Sequence, residues 1–358
     1  MHFDLFYELS LPPGDPRSEA ELYRDALDEL ALADALGYRT AWLVEHHFMP
    51  GYSHSSAPET FLAAASQRSR RLRLGHAIVP LPYSHPVRVA ERLASLDVLS
   101  NGRMEFGYGR GFSPQEYASF GAEMKHSRSL TQEALDIVRL SFGGEPVSYQ
   151  GQHFQLEDID IVPKVVQRPH PPIWSAAVSP ESFELAAEQG VGVLVGPFKP
   201  WFMVKEDIKR YRRAWQNRHG DGPPAAGLNN RVGMTVGIFC LEDAHQAHQQ
   251  AKPAFEWFYH NLLSQTRPIL QKLYDSYEYY KRMGHLHTLL SKTIRLKVLE
   301  TMGMAIVGDP AHCVHKLKKL QKAGVDHVLL AVGAGALPSE QVQASLRLIA
   351  ERVMPHFR

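Results

Sequence analysis

Cysteine is scarce: only Cys240 and Cys313 occur in 358 residues. Two thiols exclude a disulfide framework, they lack metal-site spacing, and such usage suits a reducing compartment. Neither sign of charge dominates. With 39 basic and 38 acidic side chains the net charge is +1, which argues against a nucleic-acid stripe or a polybasic membrane anchor. The one basic run, Arg68-Ser-Arg-Arg-Leu-Arg73, falls at the end of an expected helix, where cations complement the dipole. No apolar run approaches the ~18 residues that span a bilayer. The start, Met1-His-Phe-Asp-Leu-Phe-Tyr7, shows neither the basic segment nor the apolar core of a signal peptide. A cytoplasmic protein with no nucleic-acid or membrane partner is expected.

What is present is alternation. Strand-like runs at Phe3–Tyr7, Thr40–Val44, Leu72–Val79, Arg103–Gly107, Ile173–Ala177, Val191–Val195, Arg231–Phe239 and His327–Val332 are separated by helix-like ones. The helical spacing predicts helices at 18–36, 58–69, 86–99, 129–142, 180–189, 201–217, 310–323 and 339–354, with further helices filling 242–304. Ser18 with Glu21 forms a capping box, and Gly37 ends that first helix. Repeated βα units imply parallel strands with right-handed crossovers, and eight of them close a (β/α)8 TIM barrel. A doubly wound open sheet is the alternative, but no Gly-x-Gly-x-x-Gly follows the first strand. The expected organisation is one α/β domain over 1–358, with a hairpin insertion near 143–172 and a helical insertion near 253–304. The latter is rich in aromatics: Phe255, Trp257, Phe258, Tyr259, Tyr274, Tyr277, Tyr279 and Tyr280. Core or dimer packing is one use for them, and a wall or lid over a substrate is the other.

Three places could carry chemistry. The second strand runs into His46 and His47, where a barrel builds its active site. No second His, Asp or Glu pair with ligand spacing appears at another strand end, so no metal site is expected. After the fourth strand, Gly107, Gly109 and Gly111 let a ligand approach the backbone, and Arg110 adds a permanent cation suited to phosphate. After the fifth, Ser179 reads as an N-cap, Pro180 as N1 and Ser182 as N3, so hydroxyls and free N–H groups face out from a helix N-terminus. A plain capped helix reads the same way. The loop Gly333-Ala-Gly335 after the last strand is a competing anion site, because barrels often bind phosphate there.

These residues resemble a known family. Glu45-His-His-Phe48, Tyr83-Ser-His-Pro-Val-Arg88, Asn101-Gly-Arg103, Phe106-Gly-Tyr-Gly-Arg-Gly111, Phe120-Gly121, Ser127-Arg128 and Gln167-Arg-Pro-His-Pro-Pro-Ile173 are similar, in order, to bacterial luciferase and its relatives. The resemblance runs from about residue 3 to 200, weakens over 200–305 and returns at Gly308-Asp309-Pro310. It implies a luciferase-like TIM barrel and an FMN-dependent monooxygenase. Reduced FMN (FMNH2) would come from a separate NAD(P)H:flavin reductase. Flavin and O2 would form a C4a-peroxide that oxygenates a small organic substrate by hydroxylation, Baeyer–Villiger insertion or aldehyde oxidation. The organic chemistry is the cofactor's, and the protein binds, orients and shields it.

Carried over position by position, the resemblance makes His46 an acid/base near the flavin, with His47 beside it. Neutral imidazole suits that role near pH 7. Arg110, Ser179 and Ser182 would contact the FMN phosphate. Val178 stands where luciferase has a carboxylate, which leaves its backbone N–H as the contact. The Ala77–Ile78 peptide falls where the family often has a non-prolyl cis bond beneath the flavin ring. Gly109 replaces luciferase's reactive cysteine, so light emission is not expected. The site must exclude water, and Phe6, Tyr7 and Tyr108, with aromatics of the helical insertion, are expected to line the substrate pocket. A homodimer is implied. The alternatives are an F420-dependent hydride-transfer enzyme of the same superfamily and a non-catalytic flavin-binding protein.

Overall fold

The computed structural model describes residues 1–274 and 294–357. Its strands are β1 (His2–Tyr7), β2 (Thr40–Leu43), β3 (Arg73–His76), β4 (Val79–Pro80), β5 (Met104–Gly109), β6 (Val147–Gln150), β7 (Gln155–Ile159), β8 (Ile173–Ala176), β9 (Gly192–Val195), β10 (Val232–Cys240), β11 (Ala305–Gly308) and β12 (His327–Ala331). Parallel pairing runs β1-β2-β3-β5-β8-β9-β10-β12 and returns to β1, closing an eight-stranded barrel.

The eight expected strands are the eight of this ring, with two differences. The third is interrupted: the Ala77–Ile78 peptide is cis, and β4 resumes beyond it to pair with β5. The stretch after residue 304 also holds β11, a strand the sequence pattern did not suggest, paired with the far half of β10 from Gly237 to Cys240. Ala305–Gly308 lies between two helix-like stretches with no turn signal long enough to set it apart. The antiparallel pair β6–β7 forms a hairpin outside the ring.

Helices α1 (Glu19–Leu36), α2 (Pro58–Arg68), α3 (Pro86–Leu99), α4 (Pro114–Ser119), α5 (Ser127–Phe142), α6 (Pro180–Glu188), α7 (Trp201–His219), α8 (Ala244–Tyr274), α9 (Leu296–Thr301), α10 (Pro310–Lys322) and α11 (Ser339–Arg352) fill the crossovers. Local chemistry sets their ends. Ser18 and Glu21 exchange both bonds of the capping box, and Gly37 closes α1 at φ 87°. Helix α8 begins at Ala244 and has no break at 253. Among the described residues, no helix is long and apolar enough to cross a membrane.

The lower half of the barrel is plugged by side chains. Trp42 and Trp174 meet edge to face, 5.5 Å apart. They fit because glycines stand opposite: a Cβ on Gly75 would lie 2.3 Å from Trp42, and one on Gly192 2.6 Å from Trp174. Each indole N–H is satisfied, Trp42 donating to Asp4 at 2.9 Å and Trp174 to Glu105 at 2.6 Å. A buried indole must find such an acceptor. The plug separates the cavity at the C-terminal strand ends from a second hollow at the N-terminal ends, lined by Met1, His2, Arg231 and Asp326.

Candidate active site

A cavity of about 760 Å³ lies over the C-terminal ends of the strands, and is large enough for a cofactor-sized ligand. Phe6 and Glu8 reach it from β1, His46 from the loop after β2, and Ala77 and Ile78 from the break in the third strand. Tyr108, Gly109 and Arg110 line it from β5, and Val178, Ser179 and Ser182 from the turn after β8. The ring thus brings His46, Arg110 and Ser179 to one cavity.

His46 keeps 13% of its side chain exposed and stands between two carboxylates: Nδ1 lies 3.6 Å from Glu116 and Nε2 lies 3.8 Å from Glu8. Both spans exceed a hydrogen bond, so the contacts are electrostatic. Burial works against a charged ring, but Glu116 and Glu8 outweigh it and hold the His46 pKa above the ordinary histidine value. The neutral imidazole expected from the sequence thus meets surroundings that shift the ring toward its protonated form. Glu116 is fixed in turn by the His47 N–H at 2.8 Å and the Tyr83 hydroxyl at 2.7 Å. Burial pushes its carboxyl up, yet His46 and these donors hold it below the usual range. Glu8 differs. Burial raises its pKa despite His46 and the Tyr52 hydroxyl, which donates to Oε1 at 3.0 Å.

Two expected residues lie elsewhere. His47 does not line the cavity: its ring contacts Glu45 at 3.2 Å and packs edge-on against Phe120. Its backbone N–H on Glu116 is its link to the site. Tyr7 also points away, donating to Glu29 at 2.8 Å. Successive side chains of a strand face opposite ways, so Phe6 and Glu8 face the cavity and Tyr7 does not.

The phosphate-like turn is more engaged than its sequence suggested. The Val178 N–H is not free: it donates to the Ser182 hydroxyl at 3.0 Å, which donates to the Ser179 carbonyl at 2.6 Å. Below it, buried Lys199 donates to the Val178 carbonyl at 2.7 Å and pairs with Asp207. Arg110, by contrast, is exposed, and its guanidinium forms no ion pair among the described residues. The competing loop Gly333–Gly335 does not line the cavity, and Gly335 sits against the Ala254 backbone of α8.

Glu8, Glu116, Tyr52, Tyr83 and Lys199 were not anticipated. Glu116 reads in sequence as an ordinary acidic residue in the first turn of a helix. Glu8, directly beyond a strand end in a barrel, carried the one usable signal. The insertion aromatics Phe255, Phe258 and Tyr259 are buried in the core, and α8 reaches the cavity through Leu262 and Thr266. The side chains of Tyr274, Tyr277, Tyr279 and Tyr280 lie outside the described residues.

The donor set fits a flavin mononucleotide. A guanidinium without an ion pair among the described residues and serine hydroxyls share one cavity, and Gly109 lines it where a Cβ would crowd Ile78 at 2.9 Å. The family model for luciferase-like monooxygenases matches residues 1–327. The 4-hydroxyprotoasukamycin monooxygenase of Streptomyces nodosus subsp. asukaensis is 30% identical over 97% of this chain and 91% of its own length. The oxygenase component of flavin-dependent trigonelline monooxygenase from Acinetobacter baylyi is 30% identical, covering 100% of this chain and 96% of its own. The crystal structure of monooxygenase RslO1 from Streptomyces bottropensis superposes with a TM-score of 0.84 at 28% identity, covering 100% of both chains.

Proposed function

The chain belongs to the luciferase-like monooxygenase family, and from that premise we propose that it is the oxygenase of a two-component flavin monooxygenase. In this reading a separate NAD(P)H:flavin reductase delivers reduced FMN, and the protein oxygenates a small organic substrate with O2. The flavin, when bound, supplies the electrons that activate O2. This chain's residues do the rest. Arg110 and Ser179 hold the phosphate, with Ser182 locking the turn. Gly109 admits the ligand to the β5 backbone. His46 holds a proton at the mouth of β2, kept there by Glu116 and Glu8. Phe6, Tyr108 and Leu262 exclude water from the enclosed end.

The observation that carries the reading is a guanidinium without an ion pair among the described residues, sharing one cavity with a histidine held between carboxylates. Fluorescence titration with FMN and FMNH2, with F420 as comparison, tests it. FMNH2 binding is expected, and Arg110→Met is expected to weaken it by about 2 kcal/mol, or some thirtyfold, for one charge-assisted bond. In stopped flow, bound FMNH2 should reoxidise and release H2O2 more slowly than free FMNH2. Preference for F420, or reoxidation at the free rate, overturns the proposal.

A further inference from the structure

The ring places the Glu8 end of the cavity far from the phosphate turn. β1 and β8 stand four strands apart in an eight-strand barrel, so Glu8 and the Ser179 turn face each other across the mouth. A cofactor anchored on the β5–β8 side leaves the β1–β2 side for another ligand. There Phe6, Leu262 and Leu329 form apolar walls, and the polar lining is Glu8, Glu45, His46, Tyr52, Thr235 and Thr266.

Glu8 is only 7% exposed. Its Oε1 accepts from Tyr52, but its Oε2 is buried without a hydrogen-bond partner. A buried unsatisfied carboxylate oxygen calls for an explanation. It lies 3.8 Å from His46 Nε2. That is too long for a direct bond, yet one atom can sit about 2.8 Å from both.

We propose that Glu8 Oε2 and His46 Nε2 form a subsite for a substrate hydroxyl, whose oxygen accepts from His46 and donates to Glu8. The substrate class is thus an alcohol or phenol with an apolar body. The inference deepens the function proposed above and rests on it. The chemistry is selective because the two walls make opposite demands. A ketone or ether accepts from His46 but leaves Glu8 unpaired. An ammonium pairs with Glu8 but has no lone pair to accept from His46. Sites built to bond a substrate hydroxyl reject analogues that lack it strongly.

Calorimetric titration of the FMN-loaded protein with cyclohexanol, cyclohexanone, methoxycyclohexane and cyclohexylammonium tests this. Cyclohexanol is expected to bind at least about tenfold tighter than each of the other three. In Glu8→Leu that preference should vanish while FMN affinity is retained. If Glu8→Leu does not fold, the wild-type series alone decides. Equal binding of all four, no detectable binding of any, or a preference that survives in Glu8→Leu overturns the subsite. The same titrations on FMN-free protein keep it testable by itself. Loss of FMN binding sinks the functional reading, whereas normal FMN binding without alcohol preference sinks only the subsite.

Discussion

Replacing Lys199 should destabilise the fold and loosen the Val178–Ser182 turn, proposed above to hold the FMN phosphate, by separable amounts. Lys199 is fully buried and its partner Asp207 is 3% exposed. Burial pulls the lysine pKa down and pushes the aspartate up, and in each case it outweighs the attraction between them. The pair is thus costly to bury, but costlier to break. Lys199→Met leaves Asp207 as an uncompensated buried carboxylate, a loss of about 3–5 kcal/mol. It also strips the ammonium from the Val178 carbonyl, worth about 1 kcal/mol. A loss of that size is a large part of the ~5–15 kcal/mol that holds a domain together. The double variant Lys199→Met, Asp207→Leu removes both charges and should recover most of the stability. It cannot restore the tie to Val178, so FMN affinity should stay about fivefold weak. Urea unfolding followed by tryptophan fluorescence measures the first effect, and FMN titration the second. The reasoning fails if Lys199→Met costs under about 1 kcal/mol, or if the double variant is no more stable than the single.

Two further changes probe the barrel and its histidine. Gly107→Ala would set a Cβ 2.0 Å from the His76 carbonyl, which is backbone and cannot rotate aside. The cost should exceed the ~1–3 kcal/mol of ordinary overpacking, and an unchanged urea midpoint would count against the assigned register. His46 should titrate above its ordinary value in ¹⁵N NMR, and Glu116→Gln should lower that pKa. Because the folded pKa exceeds the unfolded one, the stability contributed is complete below about pH 6.5 and is lost as pH rises through the folded value. In Glu116→Gln that loss should move to lower pH, and an unmoved profile would separate Glu116 from His46.

Much of the scaffold was readable residue by residue. The capping box at Ser18 and the left-handed Gly37 are local devices, fixed by three or four neighbours. The strands were readable for a similar reason, since those buried on both faces read as short apolar runs between turns. Strand β11, no shorter than β2 or β9, escaped because it lies directly after a long helix-like stretch. In the site, Phe6 and Tyr108 were expected at the cavity and line it, whereas Tyr7 was expected and does not. Its neighbours on both sides face the opening, and the alternation that excludes it is itself a sequence property.

The chain by itself determined the order of βα units, the helix ends and the presence of Arg110 and His46 at strand ends, because these depend on periodicity and nearest neighbours. Tertiary structure alone decided which charges meet. Glu116 reaches His46 across 70 positions, Glu8 across 38, and Lys199 the Val178 carbonyl across 21. The raised pKa of His46 and the hydrogen bonds that tie the Val178–Ser182 turn follow from those meetings. They are set by distance and burial through space, which exist only once the eighth strand has closed against the first.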